Sequence, residues 1–222
     1  YWMGTEVFPP TDVQMHSMYL HQNGKMNFVK PTVDEGYKTY VHDPDNPIIT
    51  VGGGNMIEQT PQGDRESQGQ MNLADSNFAK FTMNREGVVK FETDVLPDSL
   101  CIVGFPKYKI YAKSNPGNTP SGPTDCDFFV RILDVYPDGK EFFVVEGAVN
   151  ARAREFAKSI ALGAQNDNAP FSNIDIGKMY EYYFQGYPIA YSFAQGHKIK
   201  VLISSSNYPR FQACANVPIA LR

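Results

Sequence analysis

The run from Gly196 to Phe211, GHKIKVLISSSNYPRF, constrains the fold of this chain more than any other segment, because Ile199, Val201 and Ile203 alternate with Lys198, Lys200 and Leu202. A period of two sends successive side chains to opposite faces of an extended strand, so the segment belongs in a sheet over a half-buried face. The run from Thr124 to Gly139, TDCDFFVRILDVYPDG, makes the same demand through Phe128, Val130, Ile132, Leu133 and Val135. It ends in Tyr136-Pro137-Asp138-Gly139, a turn with Pro at i+1 and Gly at i+3. Both strands read as walls of one sandwich.

The rest of the chain has the punctuation that such a fold needs. Its 18 glycines and 16 prolines interrupt it every few residues, and Tyr, Phe, Val and Ile fill the gaps in short alternating runs. Strands are expected near residues 18–21, 25–28, 38–41, 88–92, 99–105, 107–114, 127–136, 141–149, 178–184, 188–193 and 198–204. With 222 residues the chain can bury one large core. These features predict an all-β protein, a jelly-roll β-sandwich of the galactose-binding-like kind with few short helices. Residues 1–35 differ in character and are expected to form a junction segment with a small hairpin at Asn23-Gly24, a two-residue turn signal. Residues 36–222 form the sandwich proper. From Pro44 to Met71 the composition turns to Gly, Pro, Gln and Asn around Gly52-Gly53-Gly54, which reads as a long loop.

Charge excludes several partners. The formal net charge is −4, from 20 basic and 24 acidic residues with no long run of either sign, so neither nucleic acid nor an anionic membrane is indicated. No stretch approaches the roughly 18 apolar residues of a membrane span. The opening Tyr1-Trp2-Met3-Gly4 has neither a basic leader nor an initiator Met, so the chain is expected to begin inside something longer or after processing. Cys101, Cys126 and Cys214 are odd in number and have no CxxC spacing, and they read as plain thiols.

Residues that could carry chemistry have structural readings that fit better. The chain contains no GxSxG, the motif that holds a strained nucleophilic serine in an α/β-hydrolase, so no catalytic residue is assigned. Ser204, Ser205 and Ser206 end a strand, where hydroxyls satisfy backbone groups. His16, His21, His42 and His197 are dispersed without metal spacing, and His197 is expected to donate to a neighbouring carbonyl and pin its turn. Asp125, Asp127 and Asp134 could offer oxygens to calcium, but Asp134 falls on the opposite strand parity, so no metal and no cofactor is expected. The expected role of Asp125 and Asp127 is hydrogen bonding to backbone amides where the strand starts, with Arg152 or Arg154 as charge partners. Gly52-Gly53-Gly54 lacks the following Lys-Ser/Thr of a phosphate loop and instead permits close backbone approach, carrying Met56 and Ile57 as a wall for a pocket. The aromatic run Met179–Phe184 with Tyr187 and Tyr191 leaves open a rival reading, a free-standing carbohydrate-binding module.

Several motifs in order resemble the C-terminal β-sandwich of serine acyl hydrolases, the bacterial-type family of X-Pro dipeptidyl-peptidases, cocaine esterase and α-amino acid ester hydrolases. They are Met3-Gly4-Thr5, His42-Asp43-Pro44-Asp45-Asn46-Pro47, Asp125-Cys126-Asp127-Phe128, Leu133 to Gly139, Gly196-His197-Lys198-Ile199 and Ser204 to Phe211. The resemblance implies a non-catalytic domain that packs on an α/β-hydrolase domain of the same parent and shapes its pocket entrance. It implies that the catalytic Ser, Asp and His all precede Tyr1, so that the parent and not this chain is the esterase, amidase or dipeptidyl-peptidase. It places Met56 and Ile57 as substrate-facing candidates and favours a periplasmic or secreted location over a cytoplasmic one. The family usually continues into a last strand near the end of this chain, so an unpaired sheet edge and pairing with a second copy are also expected.

Overall fold

A computed structural model describes residues 4–50, 57–59, 65–67, 72–114 and 125–212, with only the backbone placed at 57–59, 65–67 and 81. Among the described residues twelve strands run in order: β1 (Tyr19–Leu20), β2 (Met26–Asn27), β3 (Ile57–Gln59), β4 (Arg65–Ser67), β5 (Val88–Glu92), β6 (Leu100–Gly104), β7 (Lys107–Ala112), β8 (Asp127–Val135), β9 (Glu141–Asn150), β10 (Tyr180–Gln185), β11 (Ile189–Phe193) and β12 (Lys198–Ser204). Helix α1 (Ser76–Thr82) lies between β4 and β5, and α2 (Arg154–Ala161) between β9 and β10. The protein is mostly antiparallel sheet, consistent with an all-β sandwich.

One layer is a four-stranded sheet in the order β5-β12-β8-β9. Facing it are the antiparallel ladders β7–β10 and β6–β11. The alternation of β12 explains the core between them. Ile199, Val201 and Ile203 point inward with Phe91, Phe128, Val130, Val149, Tyr182, Phe184 and Phe193, forming the main buried cluster. Gly147 and Gly186 let the layers meet closely, because a Cβ on Gly147 would lie 2.4 Å from the Tyr108 ring.

The other face of β12 is not simply half-buried. Leu202 is fully buried in a second cluster with Leu133, Val88, Ile48, Leu73, Ala79 and Met83, so the outer face of the sheet is capped at this end by α1 and residues 48–50. Helix α1 starts at Asp75, whose side chain accepts from the Asn77 amide. Its seven residues sit beside a Gln- and Asn-rich stretch that hides so short an amphipathic pattern.

Three expectations differ from the structure. Residues 38–41 form no strand; Tyr40 instead bonds the Ser205 hydroxyl at 2.7 Å, and Lys38 lies over the Phe91 ring. The β1–β2 hairpin closes with three loop residues rather than two: the Gly24 amide donates to His21 O and the His21 amide to Lys25 O, with Gly24 at φ 86°. The Tyr136 to Lys140 turn has the same two bonds and Gly139 at φ 84°, a left-handed position that glycine adopts without steric cost. The stretch 44–71, expected as a loop, contains the β3–β4 hairpin with Ile57 opposite Ser67.

The close approach at Gly147 gives a direct test. Gly147→Ala must displace the buried Tyr108 ring or shift Gly186, and overpacking of this kind costs about 1–3 kcal/mol. Urea unfolding should show that loss, whereas an unchanged midpoint would mean the layers are not in contact there.

Candidate functional site

The polar residues singled out in the sequence fall into three buried networks. Asp125 and Asp127 flank the start of β8, and the Asn150 side chain donates to both, at 3.0 and 2.8 Å. Asn150 Oδ1 accepts from the Arg152 amide and so caps the 3-10 turn, Ala151–Ala153, that leads into α2. The pair therefore ties the start of β8 to the end of β9 and the helix beyond it. Arg154, expected as a charge partner, donates to the Ala151 and Ser172 carbonyls and the Ser172 hydroxyl, and stacks on the Tyr180 ring.

Asp134 is elsewhere. It shares the parity of Phe128, Val130 and Ile132 and is 1% exposed, accepting from the Tyr191 hydroxyl at 2.8 Å and pairing with His197 Nδ1 at 2.8 Å. His197 thus pins its turn through a carboxylate rather than the expected carbonyl, with its ring 4.3 Å from that of Tyr136. Burial, then the Asp134 hydrogen bond, raises the Tyr191 phenol above its ordinary pKa. The three aspartates thus lie on two strand faces with separate partners.

Ser204 to Phe211 forms the third network. Ser204 donates to Ser206 O, the Ile48 amide donates to the Ser206 hydroxyl, and Thr50 donates to Asn207 Oδ1 at 2.7 Å. Ser204 and Ser206 thus satisfy backbone groups where the strand stops, whereas Ser205 pairs with the Tyr40 hydroxyl. The Asn207 side chain donates to Glu146 Oε2 at 2.8 Å, and Arg210 pairs with Glu146 Oε1. Arg131, opposite Glu146 in the β8–β9 register, is 2% exposed, and its guanidinium nitrogens find no hydrogen-bond acceptor among the described residues. Burial pulls its pKa down to about 10, opposed by the Glu146 charge.

Of the two pocket-wall candidates, Met56 lies outside the described residues, and of Ile57 only the backbone is placed, at the start of β3. Cys214 also lies outside them, while Cys101 is exposed and Cys126 buried. The sugar-platform stretch is split: Tyr182 and Phe184 are each 1% exposed and Tyr191 is committed to Asp134, while Met179 and Tyr187 stay exposed.

What the sequence reading missed is a band of exposed apolar side chains. Val7, Phe8, Met15, Phe28, Val29, Val33, Tyr37 and Val41 are all between 47% and 74% exposed. Phe8 is anchored edge-on to Phe105 and Phe28 to His16. Beside the band, a cleft of about 290 Å³ lies between Val41, His42 and Asp43 on one side and Arg85 and Ser206 on the other. Arg85 shapes it by donating to the Asn46 and Pro47 carbonyls. Their signal in the sequence was the density of Val, Phe and Met in a stretch that lacks alternation.

An antiparallel β-sandwich whose conspicuous polar groups are spent on internal ties, and whose apolar excess is turned outward, has the features of a structural module. The chain belongs to the family of X-Pro dipeptidyl-peptidase C-terminal non-catalytic domains, whose model matches residues 1–216. It is 27% identical over 223 residues to cocaine esterase of Rhodococcus sp. (strain MB1 Bresler), covering 97% of this chain and 34% of that protein. An aminopeptidase from a marine sediment archaeon, Thaumarchaeota archaeon, shares its fold with a TM-score of 0.74 at 21% identity, over 99% of this chain and 33% of that one. An α-amino acid ester hydrolase does so with a TM-score of 0.63 at 23% identity, over 86% and 29%. The chain therefore spans about a third of the length of these relatives.

The Asn150 bridge makes a prediction that separates hydrogen bonding from metal binding. Asn150→Asp keeps the shape but turns a shared donor into a third carboxylate, so it should lose more stability than Asn150→Ala, whose unsatisfied acceptors cost about 1–3 kcal/mol. Thermal melts of both variants decide the order. A calcium-dependent rise in the melting temperature of the unaltered chain would instead favour the metal reading.

Proposed function

We propose that this chain is the C-terminal sandwich of a serine acyl hydrolase and that it buttresses an α/β-hydrolase domain of the same polypeptide. The observation that carries the reading is the exposed apolar band between residues 7 and 41. So many large apolar side chains left exposed by one stretch of chain are what a contact with another protein surface would cover. The threefold greater length of the relatives supports a partner in the same chain. On this reading residues 1–35 are the junction leaving the hydrolase domain, and residues 36–222 the sandwich that follows. Met56 and Ile57 then stand at the pocket entrance, and the nucleophile, base and acid belong to the other domain.

The experiment compares this chain with the full-length product of its gene. Hydrogen exchange at amides 7–41 should be slow in the longer protein and fast in the isolated chain. An activated ester such as p-nitrophenyl butyrate should be turned over only by the longer protein. Hydrolysis by the isolated chain that a serine-directed phosphonate and Ser205→Ala both abolish would refute the reading.

The pocket role of Met56 and Ile57 is tested separately. Alanine at either position should leave the melting temperature of the isolated chain unchanged. In the full-length enzyme it should shift relative kcat/KM across an ester series by about 1–3 kcal/mol, the range expected for a lost apolar contact. Unchanged specificity constants would remove these residues from the pocket.

A further inference from the structure

The outward face of the β7–β10 ladder has a composition unlike the rest of the molecule. Strand β7 alternates cleanly: Tyr108 is buried, while Lys107, Lys109, Tyr111 and the following Lys113 are exposed. Same-face residues on a strand recur every ~6.8 Å, so this row extends for roughly 20 Å. Lys158 on α2 joins it by pairing with Glu181 at 2.8 Å, across from Tyr111. Lys109 and Lys158 thus flank one carboxylate, Glu181, with Lys107 and Lys113 extending the row on either side, in a chain with an overall charge of −4.

The row is preorganised. Lys109 Nζ lies 5.0 Å from the centre of the Tyr183 ring on the neighbouring strand, and Lys113 Nζ lies 5.8 Å from that of Tyr37. The Tyr111 hydroxyl donates to Glu181 at 2.9 Å, which fixes a ring that is 63% exposed. Of the other charged side chains, Asp175 is paired with Lys178, and Glu155 with Arg154.

We propose that this face binds a linear, carboxylate-bearing polysaccharide along the Lys107-Lys109-Tyr111-Lys113 row. Lysine is depleted in protein interfaces, so a lysine-built row fits a hydrated polyanion better than a folded partner. Tyr111 offers a sugar ring an apolar face within that row. Glu181 decides between polyanions: its oxygens accept hydrogen bonds, which sugar hydroxyls can donate and a phosphodiester backbone cannot.

The test is native electrophoresis of this chain through gels containing polygalacturonate, dextran or single-stranded oligothymidylate. Polygalacturonate should retard the protein in low salt, and dextran should not. Lys107→Glu/Lys109→Glu/Lys113→Glu should weaken the retardation at least tenfold, and Tyr111→Ala several-fold without altering its salt dependence. Should the triple variant melt early, Lys109→Gln/Lys113→Gln supplies the same comparison with smaller charge change. Absence of retardation by polygalacturonate overturns the proposal. So does equal retardation by oligothymidylate, or a Tyr111→Ala variant that migrates like the unaltered chain, since either would reduce the face to a general polyanion contact.

Discussion

The seven-residue ladder between β12 and β8 is the contact on which the rest of the sandwich depends. β12 is flanked on its other side by β5, so its backbone groups are paired on both edges. Its side chains are buried on both faces, with Ile199, Val201 and Ile203 in one cluster and Leu202 in the other. Every other layer is positioned against this strand. The inward residues set the distance to β10 and β11, while Leu202 and Leu133 provide the floor on which α1 rests. A strand with both faces covered admits no slip in register, because a shift of one residue would put Lys198 and Lys200 into the main core.

Where β12 ends, polar chemistry takes over the work of apolar burial. The Ser204 to Asn207 side chains and Thr50 close the end of the sheet with hydrogen bonds, and Asn207 and Arg210 converge on Glu146. Arg131 sits beside that carboxylate with its charge only partly compensated. Buried ion pairs contribute less to net stability than to the choice of one arrangement over others, since desolvation offsets most of the attraction. The arrangement chosen here is the path of residues 205–211 back across the outer face of β8 and β9, where Phe211 packs on Phe129. A polar knot with directional bonds fixes that path, which apolar contact alone would leave free to slide.

The strand-rich half of this architecture was legible because its signals are local. Residues 88–92 and 198–204 appear as strands at the limits read from alternation, and the Tyr136 to Gly139 turn forms as its proline and glycine dictate. Helix α2 was also written in the chain and was overlooked: Asn150 caps the preceding turn, Phe156, Ala157, Ile160 and Ala161 recur at helical spacing, and Gly163 ends it at φ 73° with the Ala164 amide donating to Ser159 O. Its position amid Gly- and Pro-rich strands disguised it. The partners of the site residues were not legible at all. Asp134 with His197, or Asn207 with Glu146, are separated by about sixty positions and meet only through the sheet register.

The apolar band between residues 7 and 41 follows from the same allocation of surface. The inner faces of the sheets are filled by residues from β5 to β12, and the outer face near Leu202 is filled by α1. Of the first 41 residues, Met26 is the only one recorded as fully buried apolar among those described, with Met18 and Leu20 packed partly against the core. The remaining apolar side chains of that stretch have no room inside a core already complete. Carried on extended chain with little backbone pairing of its own, a segment of this composition would gain most from a second apolar surface laid against it. The polar knots tie the sandwich together from within, while its apolar outer segment stays exposed.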